Sequence, residues 1–155
     1  MWAITPEEMV AIKLSLRVAA VAMVASLPFG ILAAYALSRG RFRGKVVLDG
    51  LIHMPLVLPP VVTGYALLVL FGRRGTFGAF LEQTFGIVLS FRWTGAALAA
   101  AVMSFPLLVR AIRLSMDAID RRSEEAAATL GASPVWVFLT VTLPLAVPGI
   151  IAGAM

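Results

Sequence analysis

"VAAVAMVASLPFGILAAYAL", residues 18–37, runs for twenty residues without a charged side chain. A helix rises about 1.5 Å per residue, so a run of this length crosses a hydrocarbon layer of roughly 30 Å. The run does not alternate apolar and polar residues as a barrel strand would. Three more runs of similar length follow: residues 51–71, "LIHMPLVLPPVVTGYALLVLF", residues 94–114, and residues 136–155. The chain is 61% hydrophobic and only 14% charged, against about 25% charged in an ordinary soluble domain. Its mean hydropathy is +0.97. A soluble fold of 155 residues could not cover so much apolar surface. The expected fold class is therefore an all-α membrane protein, a polytopic transmembrane helix bundle with the lipid bilayer as its solvent.

The net charge is +5. The basic residues cluster at the ends of the apolar runs, where they set topology, so nucleic acid is not an expected partner. Lys13 and Arg17 precede the first run as they would in a signal peptide. The run is longer than a usual signal core, however, and Glu7 and Glu8 stand in front of it, so it reads as a retained span. Arg39, Arg41, Arg43, Lys45, Arg110, Arg113, Arg121 and Arg122 fall on one side; Lys13, Arg17, Arg73, Arg74 and Arg92 fall on the other. The richer side is assigned to the cytoplasm, which puts the N-terminus outside. Residues 38–50 and 115–134 are then inside, and residues 72–93 outside. That last loop is too interrupted by Gly, Glu82 and Gln83 to span, and its Phe residues suggest a short interfacial helix. The chain stops at Met155 within an apolar run that has no charged flank, so the expectation is that residues 1–155 are one incomplete transmembrane domain of a longer protein.

Enzymatic chemistry finds little to work with. There is no Cys, hence no disulfide and no thiolate metal site. His53 is the single histidine and reads as a hydrogen-bonded structural residue, and no acid lies centrally in a span. No metal, cofactor or catalytic group is therefore expected, and with no P-loop the chain itself does not bind ATP. The second run carries a different message. Pro55, Pro59 and Pro60 donate no helix hydrogen bond, and Gly64 adds freedom. Two readings stand: a static kink, or a translocation-path wall at Pro59, Pro60, Thr63, Gly64 and Tyr65. The second rests on the rule that broken backbone at membrane depth is tolerated where it lines a cavity, and the first on the rule that it is tolerated where it is buried in protein. Ala96, Ala97, Ala99, Ala100 and Ala101 give the third run a small-residue face suited to close packing, including packing between two copies.

The stretch "SEEAAATLGASPVWVFLTVTLP", residues 123–144, is of another kind. Ser123 suits an N-cap, and Glu124 and Glu125 then meet the positive end of a helix over about residues 124–130. Gly131 suits a left-handed stop, and Ser133 a second cap with Pro134 at the first helical position. A helix this short is marginal alone. Either its own bundle or a docking partner must hold it.

Here the sequence resembles a known family. Glu125-Ala126-Ala127, followed at fixed spacing by Gly131, Val141, Leu143 and Pro144, is similar to the "EAA" motif of ABC-importer permeases, with Val141 where Ile is usual. "LDGLIHMPLVLPPVVTGYALLVLFGRRG" (48–75) and "AAAVMSFPLLVRAIRLSMDAID" (99–120) look like the molybdate/tungstate permease subunit. The resemblance implies a type I importer permease fold (MetI-like) in a bacterial or archaeal plasma membrane. It implies a coupling helix in which Glu124, Glu125, Ala126, Ala127, Gly131, Leu143 and Pro144 serve attachment to cytoplasmic ABC ATPase subunits. It further implies an external substrate-binding protein, a second permease copy and an oxyanion substrate. Sulfate permeases are the nearest look-alikes and supply the alternative substrate. An autonomous channel or structural protein is the alternative class, and it would have no use for the motif at 125–144.

Overall fold

The structure, a computed structural model, describes residues 5–73, 75–86, 88, 89 and 91–155; Arg74, counted above with the outer-side charges, is not among them. All regular structure among the described residues is helical. The first helix, α1, is Pro6–Arg39. It begins well before the apolar run because Thr5 and Glu8 cap it reciprocally, the Glu8 amide donating to Thr5 Oγ1 and the Thr5 amide to Glu8 Oε2. Then come α2 (Lys45–Val57), α3 (Pro60–Phe71), α4 (Thr76–Phe85), α5 (Trp93–Asp117) and α6 (Arg121–Thr129). The last elements are α7 (Pro134–Val137), a π-helical turn (Phe138–Thr142) and α8 (Leu143–Ala154). Among the described residues three stretches are long and apolar enough to cross a membrane: α1, α5 and the continuous run Pro134–Ala154.

The second apolar run differs from a simple span. It is divided into α2 and α3, which meet at 111°. The cause is local. Pro59 and Pro60 supply no N–H, and the α region is disfavoured for a residue that precedes proline. Pro59 accordingly sits at φ −55°, ψ 139°, and Pro60 starts a new helix. The loop after it holds the short helix α4, closed by Gly86 in the left-handed conformation at φ +65°.

The chain divides into two compact units, each holding part of α1 and part of α5. The first takes the residues through Ser26 together with His53–Ser104. Within it Arg17 lies 4.1 Å over the Trp93 ring, Phe71 stacks on Phe77, and Ala22, Thr63 and Ala97 are buried. The second takes Leu27–Ile52 and Phe105–Met155. Its core is Leu37, Val109, Ile112 and Met116, all fully buried, with Ala34 and Ala146. Glycine lets helices close up here: a Cβ on Gly149 would run into Ser115 and the Ala111 carbonyl, and one on Gly30 into Leu108. Elsewhere large apolar side chains such as Leu16, Val24, Phe29 and Leu32 are exposed. That is the expected outer face of helices solvated by lipid.

Candidate coupling site

The site is built around α6. Its N-cap is Asp120, whose carboxylate accepts from the Arg122 amide at 3.0 Å. Ser123, expected as the cap, lies inside the helix instead. A carboxylate three residues earlier starts the helix sooner, accepts from the Arg122 amide and adds charge at the positive helix end. Glu124 falls in the first turn; Glu125 does not. The other end follows the expectation closely. Gly131 adopts φ +87°, its amide donates to the Ala128 carbonyl at 3.0 Å, and the Ala132 amide reaches the Ala127 carbonyl at 3.3 Å. Those two bonds make a Schellman turn. Ser133 then caps α7 by accepting from the Trp136 amide, with Pro134 at the first helical position.

The two adjacent carboxylates face different surroundings. Glu125 and Ala126 are exposed, Ala127 is half-buried, and Gly131 is exposed at the turn. Ala127, Leu130, Gly131, Ala132, Ser133 and Trp136 line an open groove of about 610 Å³. Leu130 stands 88% exposed and Trp136 60% exposed beside it, a large apolar presentation next to a charged helix. Glu124 is turned inward. Arg39, at the end of α1, grips its carboxylate through Nε and Nη2 at 3.0 to 3.1 Å, and Thr142 Oγ1 donates to it at 2.8 Å. Side-chain exposure is only 11% for Arg39 and 16% for Glu124.

Thr142 is positioned by the π turn. Pro144 has no N–H for the Thr140 carbonyl, and its ring would collide with that carbonyl in an α-helix. The chain widens by one residue just ahead of it, so that the Leu143 amide bonds the Phe138 carbonyl. Leu143, half-buried, and Pro144, exposed, therefore stand where α8 begins, immediately after this widened turn. Arg39 and Thr142 were not singled out from the sequence. Arg39 lies 85 residues from Glu124, and it was legible only as one of a cluster of topology-setting charges.

The five residues of the candidate path are not brought to one face. Thr63 is 7% exposed, and its hydroxyl oxygen has no hydrogen-bond partner among the described residues. Tyr65 is 69% exposed. Pro59 and Pro60 are exposed at the α2–α3 break. Gly64 lines a separate apolar cavity of about 390 Å³ with Leu67, Leu68, Phe91, Arg92 and Gly95. His53, in α2, is half-buried. Among the described residues no cluster of His, Cys, Asp or Glu has the makings of a metal site.

The chain is 56% identical over 152 residues to the molybdenum transport system permease protein ModB of Escherichia coli (strain K12), covering 98% of this chain and 66% of that one. It is likewise 56% identical to the ModB of Haemophilus influenzae, across 94% of this chain and 64% of the relative. The sulfate transport system permease protein CysT of Salmonella typhimurium is 40% identical over 96% of this chain and 53% of its own length. The chain thus spans about two thirds of the molybdenum permeases it matches. Residues 26–155 match the binding-protein-dependent transport system inner membrane component, and the chain belongs to that family of multi-pass membrane proteins.

Proposed function

We propose that the chain is the permease subunit of an ATP-driven importer, with α6 as the handle by which a cytoplasmic ATPase moves the membrane helices. The observation that carries this reading is the α6–Gly131–α7 unit. It is a capped, outward-facing short helix with a sharp stop, exposed Glu125 and Ala126, and an open groove beside Leu130 and Trp136. Glu125, Ala126, Ala127 and Gly131 supply the docking surface; Leu143 and Pro144 set the start of the following helix. Chemistry on this chain is conformational, and ATP hydrolysis belongs to the partner.

Molybdate or tungstate is the proposed cargo, because the ModB proteins of Escherichia coli and Haemophilus influenzae are 56% identical to the chain and the sulfate permease CysT 40%. An external binding protein delivers it, and two copies of the subunit flank the path. The segment around Thr63 lines that path: a buried hydroxyl with no partner among the described residues offers a weak donor to a passing dianion, and a weak contact lets the ion leave again. The N-terminus lies outside and α6 inside, as the positive charges favour.

The test is reconstitution of the full-length subunit with its ATPase and binding protein in proteoliposomes. Uptake of molybdate that requires all three components and ATP is the expected result. Sulfate outcompeting molybdate would reassign the cargo. ATP-independent flux through the subunit alone would favour an autonomous channel.

A further inference from the structure

We propose that Arg39 and Thr142 are positioning residues of the coupling helix: they clamp Glu124 so that α6, the end of α1 and the π turn shift as one body. This rests on the reading that α6 docks on an ATPase. Docking alone does not say how a push on a nine-residue helix reaches the spans. The Schellman turn and a short connector lead only to α7, and a left-handed glycine is a place where a chain bends rather than a strut.

The clamp supplies the missing connection. The Arg39 guanidinium donates through Nε and Nη2 to Glu124, through Nη2 to the Met116 carbonyl of α5 at 3.0 Å, and through Nη1 to Ser38 Oγ at 3.4 Å. A planar fork used on this many sides has one orientation, unlike a surface ion pair whose two side chains wander. Its location suits it as well. Arg39 is in the last turn of α1 and Glu124 in the first turn of α6, so each charge also favours the helix end on which it sits. From Ser38 the chain of contacts continues. Ser38 Oγ donates to Asp117 at 2.5 Å, Asp117 faces Arg113 at 3.7 Å, and Arg113 reaches Asp49 of α2 at 3.1 Å. One inward carboxylate on α6 is thereby joined to the cytoplasm-assigned ends of α1, α5 and α2.

Thr142 makes the clamp sensitive to helix register. Its hydroxyl reaches Glu124 from a π-helical turn. Removing the extra residue of that turn would rotate Thr142 by about 100° about the helix axis and withdraw the hydroxyl. The π turn and the Glu124 contact therefore hold or fail together. Glu124 and Glu125 divide the work, one tied inward and one left exposed for a partner.

The experiment uses the full-length subunit with its ATPase and binding protein in proteoliposomes and reads transported ion per ATP hydrolysed. Thr142→Val keeps the volume and loses the donor; the ratio should fall on the order of tenfold, the scale of one hydrogen bond to a charged group. Thr142→Ser should restore it. Arg39→Gln should lower the ratio further, with Arg39→Lys between, since lysine keeps the charge without the fork. A second measurement covers variants that fold poorly. Spin labels at Leu32 and Ala128 of the otherwise native subunit should keep one separation in the nucleotide-free and ATP-bound states. An unchanged ratio in both Thr142→Val and Arg39→Gln, or a label separation that changes between nucleotide states, overturns the proposal while leaving the docking role intact. A parent protein that neither holds an ATPase nor drives uptake overturns the docking role itself.

Discussion

Replacing Gly131 by valine isolates the backbone requirement of the turn between α6 and α7. A Cβ built on Gly131 meets nothing within 4 Å, so no steric contact complicates the substitution. What remains is φ at +87°. An L-residue held in the left-handed region loses about 1–2 kcal/mol, and a β-branched one sits at the upper end of that range. One to two kcal/mol reduces the fraction of molecules holding the turn by roughly 5- to 30-fold. The two bonds that close it, Gly131 to Ala128 and Ala132 to Ala127, go with it. Asparagine tolerates left-handed backbone far better than valine, and alanine falls between. Uptake of labelled molybdate by the full-length subunit should therefore rank glycine, asparagine, alanine, valine. The amount of subunit in the membrane should stay level, since the turn is outside the apolar spans. Full uptake by Gly131→Val, or asparagine as damaging as valine, would refute a conformational role for this position.

Cysteines placed at Thr76 and Thr129 should react with an impermeant thiol reagent from opposite faces of the membrane; labelling from one face would invert or break the topology. Thr63→Cys in the assembled transporter should be modified in a nucleotide-dependent way and lose uptake when modified. Silence there in every nucleotide state, with a position on another span reacting, would move the path elsewhere. Gly149→Val should destabilise the detergent-solubilised subunit by about 1–3 kcal/mol through overpacking against Ser115 and Ala111. Gly64→Ala, with open space around its Cβ, should leave the melting temperature nearly unchanged; equal effects of the two would argue against tight packing at Gly149.

What could be seen in the amino-acid string was whatever short-range rules govern. Gly131, Ser133 and Pro134 each follow from the conformational preference of one residue, and the structure has them in those roles. The same rules point to Ser123 as the cap of α6, and the geometry of the Arg122 amide gives that role to Asp120 instead. Pro59-Pro60 announced a disturbance, but a kink and a 111° break begin from the same missing donors. The π turn escaped because Pro144 had been read as a position in a motif, not as a ring that a preceding carbonyl must avoid. The Arg39–Glu124 clamp was out of reach for a different reason. Contacts between residues 85 apart depend on how helices settle together, and no local preference encodes that.

The division of the second apolar run also bears on how the protein enters the membrane. Helix α2 has 13 residues and α3 has 12, giving lengths of about 18–20 Å against a hydrocarbon layer of about 30 Å. Neither half can complete the crossing as a free-standing rod, as α1 can. Where they part, the proline pair leaves carbonyls that lipid cannot satisfy. The segment must therefore find protein already in the bilayer before it settles. Helix α1 is long enough to cross by itself, whereas α2 and α3 depend on a protein neighbour within the bilayer.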